Sequence, residues 1–418
     1  MLKTPRPYTV GQPPHHAAHH AARLAVTAPV AVAALAMACL ATSAHAQERS
    51  FAIGYSAPGG RLPEILLAPA SRATAVARPN VEGTVRAIVS DGKGGWFIGG
   101  DFRLVGGLDR HHLAHVLADQ TISTGDPDAD GPVFSIALSG SRVLIGGAFT
   151  HVGGRPRHHL ASLDATTGIP DTWQPEANGP VLALVATKSL VYAGGEFTRI
   201  GGRNRAHIAA IDAATGIADR WDPGANASVM ALALDNGTLY AGGCFSRFGG
   251  LDRLHLASID VTSETASIWR PDADGAALAL LVDQGTVYVG GRFGHVAAVT
   301  RSYLAAIDAA SGLPTIWDPK PNGPVLTLLR RGSSLVVGGD FTQVGGQERI
   351  HLAALDTTVG LATLWKPDPD GSVLAIALAP PDVIAGGRFD HVRDNEHLGF
   401  ARIDGESGLA PDYAPDVE

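Results

Sequence analysis

Two markers that recur about every 48 residues, with four short apolar segments between recurrences, predict an all-β chain: a seven-bladed β-propeller of four-stranded antiparallel blades. The phenylalanine of Gly-Gly-x-Phe recurs at Phe102, Phe149, Phe197, Phe245, Phe293, Phe341 and Phe389, first after 47 residues and then after 48. Independently, Trp-x-Pro recurs at Trp173, Trp221, Trp269, Trp317 and Trp365, 48 residues apart. The same step reaches Tyr413-Ala414-Pro415 downstream, and Gly125-Asp126-Pro127 and Ala77-Arg78-Pro79 upstream, so seven complete units occupy 80–415. A blade has two apolar faces and cannot bury them alone; stacked neighbours bury them, and closure removes the exposed ends. An open solenoid needs shorter rungs and caps, and no segment reads as a cap.

Within a unit the first strand is apolar, as in PVLALVA from Pro180. A short polar turn such as Asp235-Asn236-Gly237 leads to a second strand ending at the glycine pair, as in TLYAGG from Thr238. HLAALD from His351 is a third strand. DAATG (Asp212 to Gly216) then forms a turn, since Asp accepts backbone N–H bonds and Gly supplies a left-handed residue. A shorter fourth strand ends at Trp-x-Pro. No unit carries the 3.6-residue apolar period of an amphipathic helix.

Residues 1–46 read as an export signal: Lys3, Arg6 and Arg23 at the start, an apolar run from Leu24 to Leu40, and the small-x-small site Ala44-His45-Ala46. Cys39 lacks the leucine three positions before it that a lipid-anchored cysteine requires. The segment 47–79 remains ahead of the propeller; its end aligns with the last two strands of a unit and is a candidate extra strand on the closing blade. Removing the signal leaves 29 basic residues of 32 against 40 acidic ones, a net charge of −11. That balance disfavours nucleic acid and anionic membrane, with membrane contact only during export. Cys244 is then the sole cysteine, so no intrachain disulfide forms and packing must hold the fold. The chain is expected to be a monomer, periplasmic or secreted.

The hydrophobic strand, Gly-Gly-x-Phe-Thr, Gly-Gly-x-x-Arg and Leu-Ala-x-x-Asp, taken in that order through all seven units, resemble the bacterial delta-sixty-repeat propellers. The resemblance implies an exported or surface propeller and no shared activity. A weaker likeness is to the quinone-cofactor (quinoprotein-type) propellers, carried by segments such as AAIDAASGLPTIW ending at Trp317. Here one extra residue separates Gly312 from Trp317, and the eight blades and adjacent cysteine pair typical of those enzymes are missing. In that family the tryptophan docks neighbouring blades.

In an up-and-down blade the second-to-third and fourth-to-first connections share one face, which places the Gly-Gly-x-Phe loop and the Trp-x-Pro turn together as the richest surface. The glycines read as bulge and turn formers, because no helix N-terminus stands behind them to hold a phosphate. Arg110, Arg157, Arg205, Arg253, Arg301 and Arg349, with His397 in the seventh unit, read as loop braces. His112, His159, His207, His255 and His351 share another position, with Tyr303 and Gly399 as exceptions. They suggest a metal, but the third strand lies ~10 Å further from the axis than the first, so equivalent side chains diverge. The turn before the first strand holds Asp128 and Asp130, Asp272 and Asp274, and Asp368 and Asp370; these are candidate cation ligands, for calcium in particular, or Asx-turn residues. One position varies inside a constant frame, the x of Gly-Gly-x-Phe: Asp101, Ala148, Glu196, Cys244, Arg292, Asp340 and Arg388. Its charged members, Asp101, Glu196, Arg292, Asp340 and Arg388, are the candidate ligand-binding residues. No unit assembles a nucleophile, base and acid, so catalytic residues and cofactors are not assigned and the reading leans away from an enzyme. The expected role is binding or scaffolding of a protein, glycan or cell-envelope component. The alternative is a carbohydrate-active hydrolase or lyase using carboxylates such as Asp130, Asp274 or Asp370 at the channel mouth.

Overall fold

In the computed structural model the described residues are 79–411, apart from 126 and 264. The export signal, the 47–79 segment except its last residue, and the marker at Tyr413 lie outside them. The described residues form strands and turns and no helix. Among the described residues seven antiparallel sheets follow one another along the chain, each built on an inner, a middle and an outer strand; in the first, the short strand Leu108–Asp109 joins as a fourth.

Sheet 6 shows the pattern. Its inner strand (Val325–Arg331), middle strand (Ser334–Gly339) and outer strand (Leu352–Asp356) pair in register, with Leu328 opposite Val337 and Val337 opposite Ala353. Alternate side chains of the middle strand enter different cores. Leu335 and Val337 pack with Trp317 of sheet 5, whereas Val336 packs with Trp365 and Val373 toward sheet 7. That two-sided burial is why the middle strand is a continuous apolar run. Between middle and outer strands a two-residue hairpin, Gln343–Val344 with Gln347–Glu348, stands on the loop face.

The fourth strand expected in each unit is reduced to a single bridge, such as Leu355 with Ala362 or Leu163 with Pro170, in sheets 1 to 6. Regular pairing is therefore three-stranded. In sheet 6 the chain then turns its tryptophan inward: Trp365 is buried and donates its indole N–H to the Asp404 carbonyl of sheet 7 at 2.9 Å. Proline at two of these bridges, Pro170 and Pro314, also lacks an N–H to continue the ladder.

Each glycine pair has two separate jobs. A Cβ on Gly338 would lie 2.8 Å from Val373 Cγ1 of the next sheet, so the first glycine sets the approach of neighbouring sheets. A Cβ on Gly339 would lie 2.1 Å from the Pro324 carbonyl oxygen, so the second admits the inner strand of its own sheet, which carries a one-residue bulge between Val325 and Thr327. The inner strands of successive sheets pack side by side, and that of sheet 7 (Ser372–Ala379) returns to that of sheet 1 (Val81–Ser90). There Val81 and Val85 share a core with Ala377, Ile384 and Phe400.

These contacts make unequal demands on similar glycines. Gly339→Ala meets backbone and is expected to lower stability by about 3 kcal/mol. Gly346→Ala, in open space at φ +75°, is expected to cost about 1 kcal/mol from its left-handed backbone alone. Urea unfolding of the two variants checks the order; equal midpoints would remove the packing argument.

Candidate functional site

The loop face is held together by one bracket repeated in six sheets. Asp130 Oδ1 accepts the Thr150 N–H at 2.7 Å and the His151 N–H at 2.9 Å, which ties the turn before the inner strand to the loop after the middle strand. Asn178 does the same for Thr198 and Arg199, both at 2.8 Å. Asn226, Asp274, Asn322 and Asp370 repeat it. Carboxylate and amide serve equally because the bond needs only an acceptor oxygen. The second oxygen of Asp130, Asp274 and Asp370 faces the Nδ1 of His151, His295 and His391 at 3.1, 2.8 and 2.9 Å. Partial burial pushes the three carboxyls up, but the hydrogen bonds outweigh it and hold them below the usual carboxylate range. The bond to Asp370 in turn raises His391.

The companion acids are engaged as well. Asp128 pairs with His111 Nδ1 at 2.8 Å, Asp272 with Arg270 Nε at 2.6 Å, and Asp368 with Lys366 Nζ at 3.2 Å. All three acids adopt positive φ, 35°, 28° and 45°, so they are turn residues first. No group of three His, Cys, Asp or Glu side chains gathers among the described residues.

The histidine column has a backbone explanation. His112, His159, His207, His255 and His351 lie at φ between 59° and 65°, as do Tyr303 and Gly399 at 64°. Each histidine turns its Nδ1 to the second glycine carbonyl of its own sheet, as His351 does to Gly339 at 2.9 Å. The glycine among the exceptions was the sign in the sequence that this position needs a left-handed residue. The arginine column braces a carbonyl 13 residues on at Arg110 and 14 on at the others, as Arg349 to Thr363 at 2.6 Å and Arg253 to Ser267 at 2.8 Å. His397 stands in for it, its Nε2 3.4 Å from the Ala410 carbonyl.

Toward the centre of the ring the picture differs. The bulged residue of each inner strand is Arg86, Phe134, Leu182, Met230, Leu278, Leu326 or Leu374. Arg86 lies over the Phe134 ring, 5.7 Å from its centroid, although the two occupy equivalent places in adjacent sheets. Such contact requires convergence on the axis, so these residues form a half-buried, mainly aliphatic collar. The sign of it in the sequence is an inner strand that is apolar without alternation; Arg86 is the only charged residue at the bulged position.

Several of the variable residues adjoin this collar or the next sheet. Cys244 Sγ is 3.7 Å from Met230 Sδ, and Arg388 Nε is 3.3 Å from Thr84 Oγ1 of the next sheet. Asp340 accepts a hydrogen bond from Ser372 of sheet 7. Asp101 lies 3.9 Å from His112. Burial, then Arg388, pulls the Arg86 guanidinium down, and Asp101 pulls it back up, so these three charges share one neighbourhood. Glu196 has its carboxyl raised by burial. The Nε of Arg86 and of Arg292 is buried without a hydrogen-bond partner.

The bracket carries a pH signature. Because the folded pKa values of Asp130, Asp274 and Asp370 are depressed, their contribution is present above the unfolded value of about 3.9 and lost as pH falls below it. Replacing all three by the asparagine found at the other bracket sites is expected to flatten the decline in urea midpoint between about pH 4 and 2. Asp130→Ala strands two N–H groups and is expected to cost about 1–2 kcal/mol at neutral pH. A wild-type pH profile in the triple variant would remove these carboxylates from the stability of the fold.

Comparison with known proteins bears on the fold. A family model described as a β-propeller domain of unknown function (DUF5122) matches residues 334–357, the middle and outer strands of sheet 6 and the loop between them. No curated protein matches the chain. Among solved structures, a chain of the mitotic checkpoint complex is similar at 15% identity and a TM-score of 0.55, over 85% of this chain and 99% of that one. The computationally designed Ika8 protein is similar at 15% identity and a TM-score of 0.52, over 80% and 88%. The extracellular domain of a hybrid two-component system from B. thetaiotaomicron follows at 13% identity and a TM-score of 0.51, covering 78% of this chain and 41% of its own. At such identities the likeness speaks for architecture alone, and with the ring of sheets described above it makes this chain a β-propeller.

Proposed function

We propose that the chain is an exported, seven-bladed β-propeller of the delta-sixty-repeat type that binds a polypeptide at the mouth of its central channel. Each blade in this reading has three full strands and a vestigial fourth. The observation that carries the proposal is the division of labour on the loop face. Residues that recur are occupied by the fold, whereas residues that change from sheet to sheet adjoin the aliphatic collar, Cys244 at Met230 and Asp101 and Arg388 beside Arg86. A collar of leucine and methionine with a mixed-charge rim suits apolar side chains flanked by charged ones. A glycan surface would offer aromatic platforms, and the tryptophans of the repeats are buried between sheets. The signal-like start of the sequence favours the periplasm or secretion, the acidic balance disfavours nucleic acid, and the module works as a monomer without a cofactor.

The hydrolase or lyase reading is weaker on one specific count. Asp130, Asp274 and Asp370, the carboxylates proposed for acid and base work, are bound to loop N–H groups and held ionised. Glu196 is held up by burial, but a glycosidase needs a second carboxylate across the scissile bond.

Displayed peptides selected against the protein, measured by calorimetry, test the proposal. Arg86→Ala with Arg388→Ala is expected to weaken a selected peptide at least about tenfold, while Asn236→Asp on the opposite face leaves it unchanged. Equal loss from both changes, or turnover of a glycan, would sink the reading.

A further inference from the structure

Arginine in this molecule is largely taken up by the fold. Among the described residues, every arginine that is not exposed donates its guanidinium to a carbonyl or a carboxylate, with two exceptions. Arg142 donates to Ala213 at 2.6 Å, Arg331 to Gly405 at 2.7 Å and Arg402 to Asp382 at 2.7 Å. The exceptions are Arg86 and Arg292, which make no side-chain hydrogen bond or ion pair with the described residues, although the Nε of each is buried. Arg86 is the one with a second guanidinium beside it.

That pair forms where the ring closes. Arg388 ends the middle strand of sheet 7 and reaches across to sheet 1, its Nε 3.3 Å from Thr84 Oγ1. Thr84 stands two residues before Arg86 on the inner strand and directly opposite Asp101. Two guanidinium groups and one carboxylate therefore gather at the start of sheet 1. Arg388 repels the charge on Arg86, and Asp101 offsets that repulsion from a distance. Asp101 is exposed, lies 3.9 Å from His112, and forms no ion pair with either arginine. Phe134 holds the Arg86 guanidinium 5.7 Å from its ring centroid; an aromatic face attracts the cation but offers its N–H groups no oxygen. The site thus has half-buried positive charge and unpaired donors, next to an aliphatic collar.

We propose that Arg86 and Arg388 form a binding site for a carboxylate of the partner polypeptide, whose oxygens accept the unpaired Arg86 N–H groups while its neighbouring apolar side chain lies on the collar. The inference rests on the reading of the channel mouth as a polypeptide site and names the group recognised there. A guanidinium fork matches the two oxygens of a carboxylate. Charge favours a carboxylate over a phosphate. The two arginines and Asp101 leave one positive charge, which a carboxylate neutralises and a phosphate dianion reverses.

The probes are N-acetyl-leucine and N-acetyl-leucinamide, alike except for the carboxylate, titrated into the protein and followed by ligand-detected NMR. The acid is expected to saturate with a dissociation constant on the order of a millimolar, and the amide to bind at least about tenfold more weakly. N-acetyl-isoglutamine carries its carboxylate on the side chain and separates the two sources. Tighter binding by it assigns the group to an acidic residue of the partner; tighter binding by N-acetyl-leucine assigns it to a chain terminus. Arg86→Gln is expected to weaken the acid at least about tenfold. Arg220→Gln removes the same charge from an exposed residue beside Trp221 and is expected to leave binding unchanged. Asp101→Asn removes the competing carboxylate and is expected to tighten the acid about threefold, a gain that a misfolded variant cannot produce. No saturation, equal binding of acid and amide, or unchanged binding by the Arg86→Gln protein overturns the site. Equal or weaker binding by the Asp101→Asn protein overturns the charge argument. The polypeptide reading fails separately. If N-acetyl-leucine binds through Arg86 but no displayed peptide is selected, the carboxylate site stands and its polypeptide partner does not. A selected peptide that binds alike after its carboxylates are amidated overturns the carboxylate and leaves the polypeptide reading in place.

Discussion

The close approach of one sheet to the next is the constraint on which the rest of this molecule depends. It is set where a glycine of the middle strand meets a valine of the neighbouring inner strand, as Gly338 meets Val373 and, at closure, Gly386 meets Val85. With no Cβ in the way, the sheets come near enough for alternate residues of each middle strand to serve two cores. The adjacent glycine lets the inner strand bulge, and the bulge aims one side chain per sheet at the centre. Packing and the channel lining are thus consequences of the same dipeptide.

The loop face shows how a repeated frame leaves room for function. Bracket, brace and left-handed histidine each satisfy backbone groups that would otherwise be stranded in a turn. Six arginines and five histidines in equivalent places resemble a binding site only until their partners are seen to be carbonyls. What the frame does not use is the residue between the glycine pair and the phenylalanine, and its chemistry runs from Asp101 to Arg388 around the ring.

Sheet 1 departs from the others. The turn after its outer strand is one residue shorter, Val116 bridging Ile122 where Leu163 bridges Pro170, which explains the single step of 47 between Phe102 and Phe149. It supplies the one charged collar residue, Arg86, and lacks the latching tryptophan. Where six units repeat a structural solution, the seventh is where the chain is free to do something else.

The all-β repeat architecture and the order of the strands were legible in the sequence because each depends on local pattern: apolar runs, turn residues and fixed spacing. The turn acids, the arginines and the histidines stand out along the chain as recurring positions, and recurrence favours turn, brace and structural roles. Three things required tertiary structure. The fourth strand shrinks to a single bridge and Trp365 reaches a carbonyl 39 residues away, neither of which the strand pattern encodes. Arg86 meets Phe134 only because the ring closes on an axis, bringing together residues 48 apart that sit on different sheets. The gap at Gly125 looked like a failed marker along the chain, and only packing brings the His115 ring onto Phe97 beside it, at 4.0 Å. Pattern along a chain records what each unit needs for itself; what units make together depends on distances that only packing decides.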